Sequence, residues 1–176
     1  MDLDSGAGLH CVGFSQLDAG ATAAKHLLAR GRKRLAFVGA QLDQRTLLRG
    51  EGFRRVLQRA GLYDPGLELL TPRPSSVGLG GELFAQLLAN HPQVDGIFFG
   101  NDDLAHGALL EAMRLGVKVP EQVAVLGFND LPSSAFMVPR LSSIRTPREA
   151  IGRRAAELIL NLIAGRDVEE PVQDMG

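Results

Sequence analysis

Little in this chain supports covalent, metal or membrane chemistry. A single cysteine, Cys11, rules out an intrachain disulfide and a cysteine-rich metal site. No apolar run approaches the roughly 20 residues needed to span a bilayer. A formal charge of −1 lacks the basic excess that marks nucleic-acid-binding domains. The start, Met1-Asp2-Leu3-Asp4-Ser5, is acidic and polar, unlike a secretory signal, so a cytoplasmic location with no membrane partner is expected. His10, His26, His91 and His106 show no i,i+4 pair or His-Glu spacing. No Gly-x-Ser-x-Gly elbow follows a strand, and no Gly-Lys-Ser/Thr phosphate loop is present. Gly78-Leu79-Gly80-Gly81 lacks the GxGxxG spacing and follows a Pro-Ser loop, so these glycines read as structural. The reading is therefore no enzyme and no cofactor. Composition is that of a soluble globular protein, 45% hydrophobic and 22% charged, and 176 residues suffice for one domain, or one lobe and part of another.

What is present is an alternation of strand-like and helix-like segments. Cys11–Phe14 reads as a short strand, followed by Asp18 as N-cap and a helix over about 19–30 that stops at Gly31. Strands near 34–39, 68–70, 96–99 and 123–128 alternate with helices over about 46–60, 78–90 and 102–115. Strand starts near 34, 67, 96 and 123 repeat at roughly 30 residues, the length of a βαβ unit. The fold class is α/β, with a doubly wound parallel-sheet lobe of four strands. After Asp130 a loop with Pro132 and Pro139 exposes Phe136 and Met137, and Leu141–Arg145 forms a short strand. A helix from Pro147 to about Ala164 should bury Ile151, Ala155, Leu158, Ile159 and Leu162. The domain reading is residues 1–33 and 146–168 as a partial N-terminal lobe, 34–130 as a C-terminal lobe, and 131–145 as loop and return crossing.

Two of the strands run into the same dipeptide. Ile97-Phe98-Phe99-Gly100 leads into Asn101-Asp102, and Val123-Ala124-Val125-Leu126-Gly127-Phe128 leads into Asn129-Asp130. Ligands of open parallel sheets bind in the crevice outside the carboxyl ends of the strands, where two amides and two carboxylates can bracket a hydroxyl-rich molecule. The competing reading is that Asp102 or Asp103 simply caps the next helix. Arg49 falls in the first turn of its helix, where a cation opposes the macrodipole and an anionic or polyhydroxy partner would compensate. Arg30, Arg32, Lys33 and Arg34 read as a solvated turn after a helix end, where positive charge is favourable.

These segments resemble the effector-binding part of the lactose/galactose repressor family, whose core is similar to type I periplasmic sugar-binding proteins. Gly13-Phe14-Ser15 through Asp18-Ala19-Gly20 and His26–Gly31 match its crossing strand and helix, and Arg34–Gly39 the strand that opens its second lobe. Arg49-Gly50-Glu51-Gly52-Phe53 matches an Arg-x-x-Gly-Phe helix start. The two Asn-Asp motifs match its crevice, and Pro139-x-Leu141-Ser142-Ser143-Ile144-Arg145 its return crossing. The resemblance implies that Arg49, Asn101 and Asn129 bind the ligand, with Asp102 and Asp130 beside them and Phe14 packing against it at the hinge. Ser75 falls where relatives often place a large aromatic, which favours an open polar chain over a stacked ring. Helices near 78–88 and 104–113 would pair across a two-fold axis, giving a homodimer interface of Leu79, Leu83, Leu109, Phe136 and Met137. The family's helix-turn-helix head has no counterpart here, and Met1–Asp4 resembles a mid-lobe strand, so the resemblance is to a truncated core that meets operator DNA only through an absent head.

The function implied is a small-molecule sensor of a bacterial transcriptional repressor. Gln41-Leu42-Asp43-Gln44-Arg45-Thr46, Pro74-Ser75-Ser76-Val77 and 98–105 resemble the gluconate-repressor branch. A sugar acid such as gluconate is the expected effector, with Arg49 clasping its carboxylate and Arg145 and Arg148 near the return crossing. The alternatives are a periplasmic-type sugar receptor, which would need a signal peptide, and an α/β enzyme acting on a sugar or nucleotide phosphate, which would need an activating base or metal.

Overall fold

The structure, a computed structural model, describes residues 10–166 and 170–176. Met1–Asp4, expected as a strand, lies outside the described residues. The chain divides into two compact units, one formed by described residues up to Gln16 and from Thr146 onward, the other by Leu17–Arg145.

The larger unit carries a parallel five-stranded sheet. Its strands are β2 (Leu35–Ala40), β3 (Glu68–Thr71), β4 (Gly96–Phe99), β5 (Ala124–Asn129) and β6 (Ser142–Arg145), in the order β3-β2-β4-β5-β6. The lobe was expected to have four strands. Leu141–Arg145 was expected as a short strand of the return crossing, outside that lobe; its Ser142–Arg145 part is indeed a strand, and it pairs with Leu126–Asn129 of β5 as the fifth of the sheet. The central strands β2 and β4 are buried throughout, as a sheet covered on both faces requires.

Helix starts follow from capping side chains. In α2 (Gln44–Arg59), α3 (Val77–Asn90) and α4 (Asp102–Leu115), the side chains of Asp43, Ser76 and Asn101 accept from the N–H groups of Thr46, Leu79 and Leu104. The cap of α4 is thus Asn101, not an aspartate. Helix α1 (Gln16–Ala29) begins before Asp18, which lies in its first turn and complements the helix dipole there instead of capping.

Helix α2 covers one sheet face, where Phe53 meets Phe37 and Phe98 with ring centroids 6.1 and 5.6 Å apart. The sequence pattern groups α1 with the partial lobe, yet from Leu17 on it packs in the larger unit against α2. A Cβ at Gly52 would lie 1.9 Å from the Leu17 carbonyl oxygen, so the two backbones touch where no side chain intervenes. The other face is covered by α3 and α4, which bury Leu79, Leu83, Phe84, Leu87, Leu104 and Leu109 against Val38, Ile97, Phe99 and Val125. The two helices approach as closely: a Cβ at Gly107 would meet the Val77 carbonyl oxygen at 1.9 Å.

In the smaller unit, β1 (Cys11–Gly13) and β7 (Val172–Asp174) pair in parallel, a strand that Pro171 concealed in the sequence. Helix α5 (Arg148–Ile163) carries the expected apolar stripe, but only Leu158 of it is buried, and Ile159 and Leu162 are exposed. Among the described residues no helix is long and apolar enough to cross a membrane.

Candidate functional site

Because β2, β4 and β5 are parallel neighbours, their carboxyl ends open on one edge of the larger unit. Backbone strain collects at that edge. The four non-glycine residues with positive φ among those described are Gln41 and Leu42, just past β2, and Asn129 and Asp130, at the end of β5. Such conformations cost of order 1–3 kcal/mol each and gather at ligand clamps and switch regions.

Arg49 lies in the second turn of α2, not the first, because Asp43 starts that helix at Gln44. It is buried, with Cζ 4.2 Å from the centroid of the Phe128 ring and Nη2 donating to Thr46 Oγ1 at 3.0 Å. Burial pulls the Arg49 guanidinium down to about 10, Asp43 working against that shift and Arg45 adding to it. Asp43 is held at about 2: burial pushes it up, but the Thr46 N–H and the Arg45 guanidinium more than offset this. A buried guanidinium resting on β5 next to Asn129 is therefore a positive centre that an anion would stabilise.

Asn101 and Ser75 meet directly, with Nδ2 donating to Ser75 Oγ at 2.8 Å. Oδ1 of Asn101 accepts the Leu104 N–H at 3.1 Å, so its amide caps α4 and faces Ser75 at once. Asp130 is half-buried and accepts from Arg145 Nε at 2.7 Å, an ion pair whose arginine is largely solvent-exposed.

Asp102 takes another direction. It is fully buried; Oδ2 accepts from Leu131 N (2.7 Å) and Ser134 Oγ (3.0 Å), and Oδ1 accepts from Ser143 Oγ (2.7 Å). A Cβ at Gly127 would lie 2.2 Å from Oδ1, so β5 passes this carboxylate with no room for a side chain. Asp102 faces protein, not the crevice, and ties the start of α4 to the loop after β5 and to β6. His106 Nε2 reaches Ser134 Oγ at 3.0 Å. With the one hydroxyl proton committed to Asp102, the imidazole is the donor in that contact. A serine buried in this way, with the carboxylate on the hydroxyl instead of the imidazole, anchors a loop; it does not present a nucleophile.

Phe14 is buried in the smaller unit, and Arg148 opens α5 there. Leu79, Leu83 and Leu109, expected at an interface between copies, are buried within this chain by the contact of α3 with α4. Met137 is half-buried against the same core, whereas Phe136 is 84% exposed. Sequence reasoning missed Phe128, Thr46, Ser134 and Ser143 as partners. Asp43, three residues before Thr46, carried a readable cap signal; the serines carried none.

A family model described as periplasmic binding protein-like domain matches residues 24–176. The chain belongs to that family. Over its full length it is 79% identical to the HTH-type transcriptional regulator GntR of Pseudomonas aeruginosa, covering 51% of that protein. Among solved structures, the transcription regulator GntR of Chromobacterium violaceum superposes with a TM-score of 0.96 at 46% identity, covering all of this chain and 65% of that one. A LacI-family transcriptional regulator from Silicibacter pomeroyi matches with a TM-score of 0.91 at 29% identity, over 99% of this chain and 53% of that one. This periplasmic binding protein-like domain therefore spans about half the length of the curated relative, and the lactose/galactose repressor resemblance holds across it.

Proposed function

We propose that this domain is the effector-sensing core of a bacterial, cytoplasmic transcriptional regulator, and that its effector is a sugar acid of the gluconate type. The observation that carries the reading is Arg49, a buried guanidinium seated on Phe128 at the edge where the strained ends of β2 and β5 emerge. A carboxylate there restores what burial removes from the cation, and the planar fork matches it bidentately. Asn101, Ser75 and Asn129 offer neutral donors and acceptors for hydroxyl groups, and Ser75 leaves space where a ring-stacking side chain would stand. Regulators named GntR match the whole of this chain, in keeping with the gluconate-repressor resemblance of 41–46 and 74–77.

In the whole protein, the effector acts by binding one conformational state better than another, which biases binding of operator DNA by a helix-turn-helix segment. The regulator works as a homodimer, and the interface is the exposed apolar set Phe136, Val138, Leu110 and Met113 on the loop after β5 and the outer side of α4. Phe136→Asp should shift sedimentation from dimer to monomer. The experiment for the effector is a calorimetric comparison of gluconate, galactose and ribose on a protein extended to the length of its relatives. Gluconate should bind most tightly and release operator DNA; tighter binding of a neutral sugar overturns the sugar-acid assignment.

A further inference from the structure

At the other end of the same sheet a second concavity has a different chemistry. Strand β6 joins β5 only from the pair Leu126–Ser142 onward, so Ala124 and Val125 have no β6 residue beside them. A cavity of about 360 Å³ opens at this corner, within the roughly 300–1,000 Å³ of small-molecule sites. Leu27 and Leu109 give it apolar walls, and His26, Arg30, Arg32 and Arg140 supply its polar groups. Among the described residues no acidic side chain lines it. Arg32 is already fixed in place, with Nη2 donating to the Pro120 carbonyl at 2.6 Å and Nη1 to the Glu121 carbonyl at 3.2 Å.

Arg34, Arg54, Arg73 and Arg114 each hold a carboxylate. Among the described residues, Arg30, Arg32 and Arg140 hold none, and neither do the exposed Arg59 and Arg148, but only the first three line one concavity. Three guanidinium groups gathered on one concavity, in a chain with a formal charge of −1, are not explained by helix-end electrostatics alone. Arg30 follows α1, Arg32 precedes β2 and Arg140 precedes β6, so three separate segments bring them together.

We propose that this cavity is a second binding site, separate from the strand-end crevice, for a soluble phosphorylated small molecule of sugar-phosphate size. A carboxylate occupies one guanidinium fork, whereas a phosphate monoester presents three acceptor oxygens and close to two negative charges, enough for several. The volume exceeds that of a bare phosphate ion, and the apolar walls take the carbon portion. The inference does not depend on the proposed effector.

Glucose 6-phosphate is the probe, titrated calorimetrically into this chain alongside glucose and inorganic phosphate. Glucose 6-phosphate should bind about tenfold or more tightly than inorganic phosphate, and glucose should not bind. A double variant, Arg30→Ala with Arg140→Ala, should weaken binding at least about tenfold, the loss of one charge-assisted hydrogen bond or more. Hydrogen exchange on the unmodified chain locates the ligand independently of any variant: protection should fall on residues 26–32, 119–126 and 139–142 and spare 41–49 and 129–130. Absence of binding, equal binding of inorganic phosphate, protection confined to 41–49, or displacement of the ligand by a short DNA duplex each overturns the proposal.

Discussion

The two Asn-Asp junctions have the same letters after similar apolar strands, yet the structure uses them in opposite ways. At the end of β4, Asn101 is extended (φ −158°) and caps α4, and Asp102 turns inward as a fully buried anchor with three donors on its carboxylate. At the end of β5, Asn129 and Asp130 adopt φ of 111° and 52°, no α-helix comes directly after them, and Asp130 pairs with the exposed Arg145. The next residues in each segment make the difference. Leu104 to Leu109 continue an apolar helical stripe that needs a cap, whereas Leu131-Pro132 breaks the chain into a short 3-10 turn. One junction holds the framework, and the other holds strain at the crevice.

Substitution should separate the two roles. Asp102→Ala removes the acceptor for one backbone N–H and two hydroxyls inside the core and should lower unfolding free energy by about 3 kcal/mol or more, read by denaturant titration. Asp130→Ala breaks a surface ion pair and should change stability by less than about 1 kcal/mol. If the two variants lose stability equally, the distinction fails. The asparagines should differ in sign. Asn101→Ala loses an N-cap and should destabilise by about 1 kcal/mol, whereas Asn129→Gly relaxes a positive-φ position and should stabilise by up to about 1 kcal/mol. Thermal melts of the pair decide this.

The smallest expected effect is an acid dependence at the end of β2, where a positive-φ pair and a helix cap occur together. Asp43 is lowered from 3.8 to about 2 in the folded chain. Its contribution is present above the unfolded value and is lost as pH falls through about 2. Asp43→Asn keeps a capping oxygen and should flatten the stability change between pH 4 and 2 relative to the unmodified chain.

The course of the main lobe was legible because its signals are local. Apolar runs marked β2, β4 and β5, and Gly31, Gly61 and Gly116 marked helix ends through their positive φ. What stayed hidden depends on partners distant in sequence. β6 reads as a short strand, but its place in the main sheet is fixed only by β5 beside it, and β7 becomes a strand only by pairing with β1. Leu79, Leu83 and Leu109 were expected at an interface on the family resemblance; their apolar spacing shows only that a face is buried, and within this chain the contact of α3 with α4 buries it. At the site, the dipeptides located both strand ends. The inward turn of Asp102 rests on Ser134 and Ser143, 32 and 41 residues away, and no spacing rule finds them.

Effector binding, as proposed, depends above all on Arg49, held on Phe128, as the anchor of the anion. Titration calorimetry of gluconate against Arg49→Ala, in the protein extended to the length of its relatives, tests this most directly. Loss of a charge-assisted hydrogen bond removes roughly 1.5–3 kcal/mol, so the dissociation constant should rise about tenfold to a hundredfold while the variant stays folded. An unchanged dissociation constant would contradict the account.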